Sequence, residues 1–208
     1  DDVRVDYETM SMQTAVNLFT GGRVGHFQSF GNSSITVSGG TVLNGFDAVD
    51  NSRVVMYSGT VFGLQAVSSR QITMVGGTVT SRLYVTQRSL VTLSGGSVGD
   101  LLADGSGFIN WSGGTISQDI LLEQNATMAI VGSNFAIDGM SLGFGKITSL
   151  LGASYSDEPS RILTGTLANG DIINNHFRIG NDASIVIIPE PATISLISLG
   201  LLALRRKK

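Results

Sequence analysis

"QITMVGGTV" (residues 71–79) and "LVTLSGGSV" (residues 90–98) are copies of one pattern that recurs along most of this chain. Each copy contains two apolar residues with one residue between them, then a glycine pair, a hydroxyl-bearing residue and a valine. An apolar pair with this spacing places both side chains on the same side of a β-strand. Repeats of about 20 residues are typical of solenoids, in which stacked copies bury a core that one copy could not bury alone.

Each copy ends on an apolar residue, here called the anchor, and successive anchors are alternately 18 and 19 residues apart. The anchors are Val24, Val42, Val61, Val79, Val98, Ile116 and Phe135. An apolar pair precedes each anchor by seven and five positions, except in the first copy, where Asn17 and Phe19 indicate an end coil that faces a cap. A second pair follows each anchor at alternating offsets, so the extra residue of the longer copies is predicted in the turn after the anchor.

These spacings predict an all-β protein, a single-stranded parallel β-helix of about six coils of 18 or 19 residues. With an N-terminal cap it would occupy residues 1–137, and the crossover rule favours right-handed winding. The alternative is a β-sandwich, but a sandwich has no reason to repeat its turn chemistry at a fixed phase. The pattern also predicts that Trp111 fills a core position and that Gly96 and Gly114 adopt backbone conformations that favour glycine.

The regular pattern ends near Asp138, and residues 138–188 are predicted to form a C-terminal cap. Three strand-like runs in "RILTGTLANGDIINNHFRIGNDASIVII" (residues 161–188) indicate antiparallel strands over the open end. A cap is expected on physical grounds, because an exposed parallel edge would pair with other chains.

Composition excludes several functions. The net charge is -3 and charged residues make up only 14 % of the chain, so no nucleic-acid partner is predicted. The absence of cysteine removes disulfides, thiolate metal sites and cysteine nucleophiles.

The last 20 residues, 189–208, differ from the rest. Pro189, Glu190 and Pro191 come first, and the two prolines predict an extended segment outside helix and sheet. An uncharged run from 192 to 204 follows, which as a helix would be about 20 Å long against about 30 Å of hydrocarbon. The predicted retention residues are Leu196, Ile197, Leu199, Leu201, Leu202 and Leu204, and the predicted basic stop-transfer residues are Arg205, Arg206, Lys207 and Lys208. A buried terminal helix is the alternative, but four terminal cations favour a membrane-oriented element.

The stretch "IPEPATISLISLGLLALRRKK" (residues 188–208) resembles the PEP-CTERM sorting signal, in which a Pro-Glu-Pro motif, a short hydrophobic helix and a basic end occur in this order. The segment upstream, residues 163–188, also resembles the region that precedes this signal in β-helical members. The resemblance implies processing by exosortase in a Gram-negative-type bacterium, with Sec export, transient retention in the inner membrane and delivery to the cell surface or an exopolysaccharide matrix. The chain begins at Asp1 without an initiator Met or leader, so a trimmed N-terminus is expected.

Two functions remain for the body. The first is a structural or interaction protein that serves as a rigid spacer or contacts glycans, and the second is a carbohydrate-active enzyme such as a polysaccharide lyase or glycosidase. Scattered acids favour the first, so no catalytic residue, metal or cofactor is predicted; three carboxylates converging in one groove would reverse this preference. Among the acids, Asp100 and Asp119 come nearest to stacking in adjacent coils. Arg53, Arg70 and Arg88 could form a basic ladder. His26 and His176 are too far apart in sequence for a relay.

Overall fold

A computed structural model of the chain describes residues 3–5, 14–68, 71–148, 161–180 and 182–190. This part of the chain contains strands and turns and no helix, which confirms the all-β prediction. The predicted hydrophobic helix, 192–204, lies outside the described residues. The strands are β1 (Val3–Val5), β2 (Ala15–Leu18), β3 (Arg23–Ser29), β4 (Ser34–Val49), β5 (Arg53–Val61), β6 (Leu64–Val67), β7 (Gln71–Met74), β8 (Thr78–Thr86), β9 (Leu90–Ala103), β10 (Phe108–Ile116), β11 (Ile120–Leu122), β12 (Thr127–Ile137), β13 (Met140–Ser141), β14 (Gly145–Thr148), β15 (Arg161–Leu167), β16 (Ile172–Ile179) and β17 (Ser184–Pro189).

The strands stack in parallel as a β-solenoid of about six turns, as the repeat predicts. Each coil has three strand segments, which define three faces: the first face carries the pair before the anchor, the second carries the anchor, and the third carries the pair after it. The anchors pair with one another in order, as in Val42 with Val61 and Val79 with Val98. The handedness and the domain boundaries at 137/138 and 188/189 stay predictions.

The core is a set of apolar columns, each built from one repeat position. On the first face, pairing joins Val37 to Met56, Met56 to Met74, Met74 to Leu93, Leu93 to Trp111 and Trp111 to Ile130. All of these side chains are buried, and the predicted core position of Trp111 is confirmed, with 1 % of its surface exposed. Its indole Nε1 donates to the carbonyl oxygen of Gly114 at 3.4 Å, so the single polar atom of the ring has a partner.

The first coil departs from the predicted register by one residue. Val16 pairs with Ile35 and Leu18 with Val37, so the inward pair is Val16 and Leu18, and the prediction of Asn17 and Phe19 is wrong. Leu18 is buried, whereas Phe19 is 63 % exposed. The physical reason is that the bend between this pair and the anchor contains one more residue than the same bend in later coils. Its left-handed glycine accordingly lies one position earlier relative to the anchor.

The glycine bends bring successive coils into close contact. Gly96 has a φ of 84°, and a Cβ atom added to it would lie 2.7 Å from the carbonyl oxygen of Gly77 in the preceding coil. Gly114 has a φ of 87°, and its Cβ would lie 2.8 Å from the carbonyl oxygen of Gly96. The predicted requirement for glycine at both positions is confirmed, because backbone and space both exclude a side chain.

The extra residue of the longer coils lies where the spacing predicts it. The ladder between β8 and β9 shifts register between Val79 and Arg82, directly after the anchor. The ladder between β3 and β4 shifts between Val24 and His26. Beyond each shift the third-face pairs are again in register, so the insertion does not disturb the core.

The C-terminal end is covered by antiparallel strands, as predicted. β15 runs antiparallel to both β12 and β16, and β14 runs antiparallel to β17. The sequence pattern did not predict that β16 and β17 also continue the parallel stack, β16 on β11 and β17 on β12. The cap is therefore one more partial coil with antiparallel edges rather than a separate layer.

Polar side chains fasten this cap to the coils below. The Asp171 carboxylate accepts the N–H of Gly114 at 2.6 Å, and the buried Asn175 amide donates to the carbonyl of Ile116 at 2.6 Å. The Asp138 carboxylate accepts the N–H of Ile162 at 2.9 Å and pairs with Arg161, and these two contacts lower the pKa of Asp138 below its ordinary value.

We expect Gly96→Val to destabilise the solenoid and Ser106→Val to leave it nearly unchanged. Forcing a β-branched residue into a left-handed backbone costs about 1–3 kcal/mol, and the clash with the carbonyl of Gly77 adds to this cost. Ser106 is exposed in another turn and serves as the control. The measurement is the free energy of unfolding in denaturant, and equal values for the two variants would contradict this account.

Candidate functional site

The outward side chains of the third face form three rows near the C-terminal end of the solenoid. These side chains stack because residues at the same position of successive coils lie about 4.8 Å apart. The first charged row is Arg82, Asp100, Asp119 and His176; the floor row is Tyr84, Leu102, Leu121 and Arg178; the acidic row is Asp104 and Glu123.

A groove of about 260 Å³ lies between these rows. Its floor includes the half-buried side chains of Leu102 and Leu121, while Asp100, Asp119 and Glu123 stand along its two sides. His176 and Arg178 on β16 complete the groove at the cap end. The groove therefore combines a small apolar floor with hydrogen-bonding groups on both sides.

The predicted neighbours Asp100 and Asp119 lie at the same level of adjacent coils. The backbone N–H of Asp119 donates to Oδ1 of Asp100 at 3.3 Å, and Arg82 Nη2 lies 3.7 Å from the other oxygen, Oδ2. Asp100 thus has one hydrogen bond and one ion pair, whereas Asp119 is exposed and lines the groove.

A second acidic pair, Asp104 and Glu123, was not predicted. The signal was present, because their offsets of six and seven from the preceding anchors become equal once the inserted residue is subtracted. The Tyr84 hydroxyl donates to Oδ2 of Asp104. This hydrogen bond is the largest of the causes that raise the pKa of Tyr84, followed by burial and by the Asp104 charge, and the charge of Glu123 adds to them.

The other sequence candidates are not brought together. Arg53 pairs with Gln71, and in the next coil Leu90 occupies the same position. Arg88 comes two residues earlier, in a turn, and therefore does not stack on Arg53. Arg70 lies outside the described residues. His26 and His176 occupy the same row but are six coil steps apart. This distance of about 29 Å is too long for a proton relay between them.

The N-terminal end of the third face carries a separate polar cluster. His26 Nε2 lies 3.0 Å from Oδ2 of Asp47, and the Gln28 amide donates to the same oxygen at 3.1 Å. Gly45 and Gly63 separate this cluster from Arg82 along the row. The third face consequently has a polar cluster at each end, with glycines between them in this row.

Three carboxylates lie along one groove, the feature that favours an enzyme, but they are not equally close. Asp100 and Asp119 are neighbours, whereas Glu123 follows Asp119 by four residues, which in an extended chain is about 13 Å. Among the residues that the structure describes, no three His, Asp or Glu side chains are grouped so that they could hold a metal ion.

The chain end is joined to the solenoid without a linker. β17 ends at Pro189, which pairs with Gly132 of β12, and Ser133 Oγ donates to Glu190 Oε1 at 3.5 Å. The prediction that Pro189 stays outside the sheet is wrong. Proline is tolerated here because the antiparallel partner β14 reaches only to the level of Ile187, so the missing N–H lies beyond that ladder.

The predicted residues of the tail lie mostly outside the described part of the chain. Pro189 and Glu190 are described, and residues 191–208, with all the predicted retention and basic residues, are not. No helix in the described ranges is both long and apolar enough to cross a membrane.

Fold and chain end together define a β-solenoid joined directly to a C-terminal sorting sequence. Residues 188–208 match the family model of the PEP-CTERM protein-sorting motif, which confirms the resemblance. The motif implies an exported protein that exosortase sorts and processes and that is directed to the cell surface. Comparison of the whole chain with the curated proteins and with the solved structures finds no match.

We expect the stability difference between the protein and its Tyr84→Phe variant to depend on alkaline pH. Because the pKa of Tyr84 is raised above 10.0 in the folded protein, its phenol ionises first in the unfolded chain. Its contribution to stability should be complete below pH about 10 and should be lost as the pH rises through the raised pKa. Unfolding free energies of both proteins between pH 7 and pH 11 provide the measurement. Asp104→Asn should shrink the effect, and a difference independent of pH would contradict the hydrogen-bond assignment.

Proposed function

We propose that this is an exported surface protein whose solenoid binds carbohydrate polymers through the third-face groove and catalyses no reaction. The observation that carries the proposal is the arrangement of the groove, in which Leu102 and Leu121 form an apolar floor with the carboxylates of Asp100 and Asp119 on one side and that of Glu123 on the other. Sorting to the cell surface, implied by the C-terminal motif, places the groove where extracellular polysaccharide is available.

The chemistry of the groove suits a ligand rich in hydroxyl groups. Carboxylates such as those of Asp119 and Glu123 accept hydrogen bonds from hydroxyls, and Arg178 can donate to ring or carboxyl oxygens. The C–H surfaces of a sugar ring can lie on the two leucines. Because the rows follow the solenoid axis, the groove accommodates a chain better than a compact molecule.

The groove is tested with a glycan array that is read for binding and for cleavage. We expect the full chain to bind a subset of polysaccharides and Asp119→Asn to weaken that binding by about 10- to 100-fold, the value of a charge-assisted hydrogen bond of about 1.5–3 kcal/mol. Asp182→Asn, an exposed acid in the turn before β17, is the matched control and should bind as the unaltered protein does. Equal binding by all three proteins would remove the groove from the proposal.

A carbohydrate-active enzyme is the second candidate, favoured by the three carboxylates along the groove. Asp100 and Asp119 are about one coil apart, a separation near that of the two carboxylates in retaining glycosidases, about 5 Å. Against this, Asp100 is already held by Arg82 and by the N–H of Asp119. Shortened glycan chains on the array, absent with Asp119→Asn, would establish this candidate and overturn the proposal of a non-catalytic body.

For the chain end we propose a membrane-retention and processing cycle. The protein leaves the cytoplasm by the Sec route, and the apolar run 192–204 then holds it in the inner membrane while RRKK stays on the cytoplasmic side. Exosortase cuts near Pro189-Glu190-Pro191 and releases the body to the cell surface or to an exopolysaccharide matrix. Residues 192–208 are thus a temporary handle that contributes nothing to the fold.

Intact mass analysis tests this cycle. Protein recovered from cells with exosortase should lack the mass of the tail, and protein from matched cells without exosortase should retain it. Deletion of residues 192–208 should leave the melting temperature unchanged, since the deleted residues belong to no coil of the repeat. Mature protein that still carries RRKK in exosortase-positive cells would show that the tail is a permanent anchor.

A further inference from the structure

The junction between solenoid and tail limits the distance of the body from a membrane. Pro189 is fixed in β17, and the uncharged run begins at Ala192, three residues later. Three residues span at most about 11 Å when fully extended. The polar headgroup zone on each side of a bilayer is about 5–8 Å thick. When the apolar run enters hydrocarbon, the last coil must therefore touch or enter the headgroups.

Three large apolar side chains near this junction are exposed to solvent. Gly145 pairs with Ile187 in the antiparallel ladder, so Phe144 lies beside Ile188, and these two side chains are 54 % and 36 % exposed. Ile172, 71 % exposed, pairs with Thr166, which in turn pairs with Ser133. We call Phe144, Ile172 and Ile188 the exit face.

Ser133 connects the exit face to the sorting motif, because its hydroxyl donates to the Glu190 carboxylate. Ile188 therefore lies next to the point at which the described structure ends, and Ile172 lies two strand pairings from Ser133. Lys146, exposed two residues beyond Phe144, adds a cation of the kind that anionic headgroups attract.

We propose that the exit face is a lipid-contacting surface that seats the solenoid on the bilayer while the tail is inserted. The inference rests on the proposed membrane retention of the tail. Exposed apolar side chains at the level of the headgroups enter the boundary with the acyl chains, as the apolar faces of interfacial proteins do. The short junction brings them to that depth, so insertion of the tail and contact of the exit face occur together.

Contact of the exit face with the bilayer also fixes the position of the processing site. A body that touches the bilayer through one end holds Pro189 and Glu190 at a fixed depth, where an enzyme embedded in the same membrane meets them.

Site-directed fluorescence tests the proposal in the full chain. The chain contains no cysteine, so single cysteines at Phe144→Cys, Ile172→Cys and Leu201→Cys can each carry one environment-sensitive dye. Phe62→Cys is the matched control, an exposed aromatic position after the third anchor with four coils between it and the exit face. The proteins are reconstituted in phosphatidylcholine–phosphatidylglycerol vesicles with and without brominated lipid, which quenches dyes that contact acyl chains. Circular dichroism checks that each variant keeps its strands.

We expect quenching by brominated lipid at 144, 172 and 201 and none at 62. Quenching at 201 alone would show an inserted tail with the exit face clear of lipid, which overturns this inference and leaves the retention proposal intact. No quenching at any position would overturn the retention proposal and this inference with it. If the dyes at 144 and 172 are shielded from aqueous iodide in lipid-free buffer, the tail itself covers the exit face and the inference fails.

Discussion

The close approach of one glycine bend to the next is the contact on which the rest of the solenoid depends. The carbonyl oxygen of Gly77 occupies the space that a side chain on Gly96 would need. The carbonyl oxygen of Gly96 likewise occupies the space that a side chain on Gly114 would need. This contact holds successive coils at one level, so that each apolar pair lies directly over the previous one. A slip of one residue would turn every inward side chain of a coil toward solvent, and the whole core would be lost with it.

The same register organises the surface. Inward positions of the third face must remain apolar, whereas outward positions are free to vary from coil to coil, and Arg82, Asp100 and Asp119 occupy one such position in sequence. A groove needs no special backbone in this architecture. Here it lies where the apolar side chains of Leu102 and Leu121 are flanked by outward rows that carry carboxylates.

Much of the fold follows from the sequence because periodicity at 18 and 19 residues leaves few ways to bury the apolar pairs. The departures have local physical causes. Leu18 replaces Phe19 in the core because one bend is longer, a difference that anchor spacing does not report. The corner after the third face uses left-handed residues such as Gln87, whose φ of 58° no glycine signal marks. Phe177 was recognised as part of a strand, but its parallel partner lies 57 residues away, beyond the repeat. In the site, Asp119 is predictable because it follows the repeat. His176 and Arg178 belong to a strand outside the repeat, so the sequence pattern does not predict their place in the groove.

The alternation of 18 and 19 residues makes the true structural unit a double coil. Val42, Val79 and Ile116 are each followed by the inserted residue and are each 37 residues apart. The corner at this turn is therefore ridged at every second coil, with a period of about 9.6 Å along the axis. Growth of such a protein by gene duplication would preserve the ridges only in steps of 37 residues. Solenoids that grow in this way should differ in length by whole double coils. The ridges on their surfaces should recur at twice the rise of a single coil.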